Sequence, residues 1–190
     1  MTDLTITDFV GTAWWFIGGA ILLGFIIQNV KKRRARMAGE RSRAVSDRAT
    51  GAVLGSAAGD ALGAGYEFTN PKSDQKIAMI GGGRFNWDPG EWTDDTQMAL
   101  AILDVVATGD TDVQAIAANF LAWYMADPPD IGNQTRAVLD GVEDPDDLCA
   151  AAAAYLDWSP EKIGNGGLMR TAPVALAALH DRDEVARLAE

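Results

Sequence analysis

Two adjacent aspartates flanked by threonines, in Glu91-Trp92-Thr93-Asp94-Asp95-Thr96-Gln97, are the clearest chemical feature of this 190-residue sequence. Such a cluster offers hard oxygen donors of the kind Mg²⁺ or Mn²⁺ prefers. Acidic residues in a first helical turn are also stabilised by the helix dipole alone, so the spacing by itself leaves both readings open. A second pair of carboxylates, Asp60 and Glu67, lies seven residues apart at the end of a glycine- and alanine-rich run. Both face one side of a helix if it persists that far, and on a buried face they need a partner or a cation. A third segment, Gly164-Asn165-Gly166-Gly167-Leu168-Met169-Arg170, is a glycine-rich turn entering a helix. Its free backbone N–H groups could hold an anion or phosphate, although many such turns merely reverse the chain.

Other chemistries are poorly supplied. One cysteine, Cys149, excludes an intrachain disulfide framework, and it reads as a core filler. One histidine, His180, leaves little for a Cys/His zinc site or a Ser-His-Asp mechanism. His180, Asp181 and Asp183 read as a solvated helix end.

The elements that must position these residues are helical. Thr93 or Asp94 is a credible N-cap, Asp94 and Gln97 have capping-box spacing, and the helix runs to about Thr108. Gly51, Gly55, Gly59 and Gly63 mark a smooth groove, which predicts a buried helix over 50–66 in a tightly packed bundle. Residues 69–92 are loop-like, and irregular stretches of that length are more often functional than accidental. An amphipathic helix is predicted over 112–125. Asp127-Pro128-Pro129-Asp130 breaks the pattern, and shorter helices follow around 134–140 and 146–157. Pro173 suits the first turn of a helix. The fold class is all-α.

The N-terminal part is different. Between Asp8 and Lys31 no residue is charged, and as a helix this window is about 33 Å long, against about 30 Å for a bilayer core. Trp14 and Trp15 suit one interface. Residues 31–48 then hold half of the chain's 16 basic residues. The expected domains are an extracytoplasmic N-terminus with a single transmembrane helix (1–30), a basic juxtamembrane linker (31–48) and a helical body (49–190). The positive-inside rule places the body in the cytoplasm. That body carries 8 basic residues against 23 acids, which argues against nucleic acid as its main partner.

Together the three segments resemble the ADP-ribosylglycohydrolase family, which includes the dinitrogenase-reductase-activating glycohydrolases and related lens crystallins. The matching residues are Gly51, Gly55, Gly59-Asp60-Ala61-Leu62-Gly63 through Glu67, then Glu91 to Gln97, then Gly164 to Arg170, and the resemblance covers residues 47–190. It implies an all-α, orthogonal, bundle-like domain with a binuclear Mg²⁺ or Mn²⁺ centre that removes ADP-ribose from a modified protein or a related small molecule. Thr93, Asp94 and Asp95 are then metal ligands, and Glu67 and Asp95 are catalytic. Gly164, Asn165, Gly166 and Gly167 line the ADP-ribose pocket, and Asp60 supports the ligands from behind or packs the helix, with a direct site role as the alternative. Family members continue to a Thr-His-x-Asp-Pro type segment and a late Asp-x-Asp-Ser/Thr motif that completes the metal cage, and residues up to Glu190 hold neither. The resemblance therefore implies a truncated domain with an incomplete cage and impaired hydrolysis. The alternatives are a non-catalytic, membrane-anchored nucleotide-binding module, or half of a split enzyme that a second chain completes. A truncated bundle is also expected to leave apolar faces open.

Overall fold

The computed structural model describes residues 6–162 and 164–189, with side chains from residue 27 onward except that of Lys162. The chain divides into two compact units, Met1–Arg48 and Ala49–Glu190. The run expected to cross a membrane lies, through residue 26, outside the described side chains. Among the described residues no helix is long and apolar enough to cross a membrane.

Helix α1 (Ile6–Gly63) begins in the first unit and supplies the opening helix of the second. Within the first unit the basic side chains of residues 31–48 are all exposed, and Arg36 Nε donates to Glu40 Oε1 at 2.9 Å.

The second unit is all-α. After α1 come a 3₁₀ turn (Ala64–Tyr66), α2 (Asp94–Val106), α3 (Val113–Met125), α4 (Asn133–Leu139) and α5 (Leu148–Trp158), then α6 (Gly166–Arg170), α7 (Ala172–Ala177) and α8 (Arg182–Ala189). Helix α2 is central and packs against α3, α6 and α7. Its buried residues Asp94, Met98, Ala101, Ile102 and Val105 repeat at helical spacing, so one stripe faces inward. A neighbouring cluster joins Ala117 and Leu121 of α3 to Leu139 and Leu148. Asp112 caps α3, accepting from the Gln114 N–H at 3.0 Å, and Pro173 sits in the first turn of α7, where its missing N–H costs nothing.

Three expectations need correction. The glycine groove of α1 is open: Gly51, Gly55, Gly59 and Gly63 are exposed, and among the described residues nothing lies within 4 Å of a Cβ built on them. The helix turns inward instead along Val53, Ala57, Asp60 and Ala61, so its small-residue face is unused by the described bundle. Nor does α1 persist to Glu67. It ends at Gly63, and Glu67 follows the 3₁₀ turn in an extended conformation. Finally, Cys149 is exposed rather than a core filler, because Leu148 takes the inward position of that helix start. Large apolar groups also stand open, among them Met125 and Leu168.

The long loop between α1 and α2 is braced rather than slack. The Tyr66 hydroxyl donates to the Ala78 carbonyl and accepts from the Ala78 N–H, each at 3.1 Å. Gly82 and Trp87 exchange backbone hydrogen bonds at 2.7 and 2.9 Å, and Trp87 is buried. Gly81 has φ +64, and a Cβ there would lie 2.5 Å from the Trp87 carbonyl oxygen and 2.7 Å from the Pro89 nitrogen, both backbone atoms that cannot swing aside. Gly81→Ala is therefore expected to destabilise the second unit by about 2 kcal/mol or more, read as a lower urea midpoint. An unchanged midpoint would show that the loop is not held as described.

Candidate active site

The site starts from a helix end that has to be satisfied. The first N–H groups of α2 have no intrahelical acceptor. Thr93 is the N-cap, but its hydroxyl accepts only a long 3.4 Å bond from the Asp95 N–H. The main acceptor comes from α1. The Asp60 carboxylate accepts from the Thr93 N–H (3.0 Å) and hydroxyl (2.8 Å), and from the Thr96 N–H (3.1 Å) and hydroxyl (2.6 Å). A negative group there also complements the helix dipole. The capping-box partner expected for Asp94 is engaged elsewhere: Gln97 Oε1 accepts from Trp123 Nε1 at 2.7 Å, tying α2 to α3.

Fixed in this way, α2 presents Asp94 and Asp95 to two further carboxylates, Glu67 from the long loop and Asp130 from the segment before α4. All four line one cavity. Burial pushes the Asp94 carboxyl up to about 7, with the charges of Asp130, Asp95 and Glu67 adding to the effect. Burial likewise raises Asp95, helped by Asp60, while a hydrogen bond from Thr93 works the other way. Glu67 is raised by burial and by Asp130, Asp95 and Asp60. The side-chain interaction between Glu67 and Asp130 raises Glu67 and lowers Asp130. Asp130 is itself raised by burial and Asp95, against the pull of the Arg84 guanidinium. Arg84 in turn lies over the rings of Phe68 and Phe85, at 5.3 and 5.7 Å from their centroids. Among the described residues no group of three or more His, Cys, Asp or Glu converges tightly enough to hold a metal ion.

The same cavity, about 1440 Å³, is also lined by Gly164, Asn165, Gly166 and Gly167. That volume exceeds the roughly 300–1,000 Å³ of ordinary small-molecule pockets. Gly164 donates its N–H to Gln134 Oε1 at 2.6 Å. Arg170 lines the cavity too, with its guanidinium 5.3 Å from the Phe120 ring centre and a hydrogen bond to Met98 Sδ at 3.2 Å. The structure therefore brings Glu67, Asp94 and Asp95 together with the glycine loop around one space. Thr93 and Asp60 stand behind that wall rather than in it. His180 is exposed, and Asp181 caps α8 by accepting from the Asp183 and Glu184 N–H groups.

Two residues escaped the sequence reading. Asp130 reads as part of a proline-broken turn, and only its burial reveals a carboxylate aimed inward. Gln134 looks like an ordinary helix residue. An aspartate directly after Pro128-Pro129 and just before Ile131-Gly132 was the one available signal, and turn chemistry explains it equally well.

Residues 41–190 match the pattern of the ADP-ribosylglycohydrolase family, and the chain belongs to that family. It is 38% identical over 142 residues to the ADP-ribosylarginine hydrolase Tri1 of Pseudomonas putida (strain GB-1), covering 70% of this chain and 37% of that protein. It is 41% identical over 141 residues to the ADP-ribosyl-(dinitrogen reductase) glycohydrolase of Rhodospirillum rubrum, covering 71% of this chain and 46% of that one. A solved structure described as an ADP-ribosylglycohydrolase-related protein complex superposes with a TM-score of 0.58 at 34% identity, over 76% of this chain and 48% of that chain. The chain thus spans less than half the length of these relatives.

Two substitutions separate support from repulsion. Asp60→Ala leaves four donors without their acceptor and is expected to cost about 3 kcal/mol in urea unfolding, with Asp60→Asn costing less. Asp94 acts in the opposite sense. Its folded carboxyl binds a proton more tightly than the unfolded one, so its charge destabilises the fold in full above about pH 7, and this penalty fades as pH falls towards 3.8. Asp94→Asn should raise the melting midpoint by about 4 °C near pH 8, in chelator, and leave it nearly unchanged near pH 4. Equal gains at both pH values would mean that charge is not the cause.

Proposed function

We propose that this chain is the metal-assisted part of an enzyme that hydrolyses the glycosidic bond between ADP-ribose and a modified protein side chain or a related small-molecule acceptor. The observation carrying this reading is the convergence of Glu67, Asp94, Asp95 and Asp130 with the Gly164–Gly167 loop around one cavity. The names of the relatives, a hydrolase of ADP-ribosylarginine and one acting on ADP-ribosylated dinitrogen reductase, support an ADP-ribosylated protein as substrate.

The donor set suits Mg²⁺ or Mn²⁺. Asp94 and Asp95 are hard, mutually repelling oxygens, and Thr93 directs its hydroxyl hydrogen to Asp60, so its oxygen faces other partners only as an acceptor. Asp94 and Asp95 would hold the ion from the cavity wall, with the Thr93 hydroxyl as the third oxygen set behind them, and the ion's positive charge would polarise the ribose oxygens when it is bound. The rest of the chemistry falls to the chain. Glu67, its proton affinity raised by burial and by the neighbouring carboxylates of Asp130, Asp95 and Asp60, serves as the acid/base, with Asp95 alongside it. The Gly164 N–H is spent on Gln134, and the backbone N–H groups of Asn165, Gly166 and Gly167 are the donors left to hold the diphosphate. By itself the 190-residue chain turns over slowly, because its described carboxylates do not close a metal cage. The chain is held at a membrane by its N-terminal helix, with the second unit on the cytoplasmic side.

That open cage also favours a second reading, a non-catalytic binding module or one half of an enzyme that another chain completes. Calorimetry with ADP-ribose and Mg²⁺, paired with an assay of ADP-ribose release from an ADP-ribosylated arginine substrate, separates them. The expected result is binding with slow release. Glu67→Gln should lower that release about 10²-fold while leaving ADP-ribose binding nearly intact. Binding with no release at all supports the second reading, and absence of both overturns the proposal.

A further inference from the structure

We propose that residues 31–48 form a cationic collar that binds the headgroups of an anionic bilayer. The stretch is helical and carries Lys31, Lys32, Arg33, Arg34, Arg36, Arg41, Arg43 and Arg48 against only Glu40 and Asp47. All eight cationic side chains are exposed, and among the described residues one ion pair, Arg36–Glu40, falls in the stretch. At about 100° per residue the cations point to every side of the helix, with no sector wider than about 100° lacking one. Such a helix has no apolar stripe with which to lie flat in an interface. It suits a rod rising out of a charged surface.

The nature of that surface follows from the neighbouring sequence. The 22 residues between Asp8 and Lys31 carry no charge, so the cations begin where an uncharged run ends. A nucleic acid offers the same negative charge but has no use for such a run. The collar builds on the membrane placement proposed above, and distance sharpens it. With a rise of about 1.5 Å per residue, Lys31 to Arg34 lie within about 5 Å of one another along the axis, whereas Arg41 to Arg48 lie about 10–21 Å beyond Arg34. The Debye length at physiological salt is about 8 Å. The first four cations therefore dominate, each strengthening binding about fivefold. The last three add little.

Flotation of the full chain with vesicles of phosphatidylcholine, with and without phosphatidylserine, tests the collar and the anchor separately. Binding to phosphatidylcholine alone reports on the anchor. The gain on adding phosphatidylserine, and its loss at about 1 M salt where the Debye length is about 3 Å, reports on the collar. Joint replacement of Lys31, Lys32, Arg33 and Arg34 by glutamine should reduce the phosphatidylserine gain about 100-fold or more. Joint replacement of Arg41, Arg43 and Arg48 by glutamine should leave most of it. Three results overturn the collar: no phosphatidylserine gain in the parent, equal losses in the two variants, or displacement of the chain from phosphatidylserine vesicles by equimolar duplex DNA. Loss of phosphatidylcholine binding with a salt-sensitive phosphatidylserine gain retained would remove the anchor and keep the collar.

Discussion

The Asp60 carboxylate is the joint on which the second unit turns. It belongs to α1, yet its four hydrogen bonds end on the first turn of α2. Donors at a helix start have to be satisfied, and bonds to an ionised acceptor are the stronger kind. The bond network fixes where α2 begins, and therefore where Asp94 and Asp95 point. It also takes up the hydroxyl hydrogens of both flanking threonines. Residues that look like a self-contained motif in sequence are thus oriented by a side chain from another helix.

That orientation works against stability. Four carboxylates face one cavity, and burial and mutual repulsion raise the affinity of each for protons. The unit tolerates this because α2 is well packed below the cluster, through Met98, Ala101, Ile102 and Val105. Perturbed carboxylates in a cavity are the mark of a functional site rather than of a structural core.

Much of this was legible in the sequence wherever a feature is local. The helices α2, α3, α4 and α5 fall close to the ranges expected from the sequence, and the Asp94-Asp95 pair stands out by type. What depended on a distant partner was hidden. Four-residue glycine spacing announces a smooth helix face but not whether anything packs on it, and here the described bundle leaves it open. Helical periodicity cannot tell that α1 stops at Gly63, so the shared side expected for Asp60 and Glu67 had the wrong geometric basis. The turn at Ala64–Tyr66 and the loop carry Glu67 into the cluster instead. Asp130 and Gln134 act only through residues far away in sequence, Glu67 and Gly164, and no local pattern records such a contact.

The long loop also governs how the site comes into being. Asp60 and Thr93 are 33 residues apart in sequence, and closing a flexible segment of that length costs on the order of 3 kcal/mol before any contact compensates. Helices such as α3 can form within about a microsecond, but this joint has to wait for a search through chain space. The carboxylate cluster therefore has no early, locally assembled precursor. Its appearance coincides with folding of the unit, and the amide hydrogens of Thr93 and Thr96 should exchange with solvent only when that unit opens as a whole.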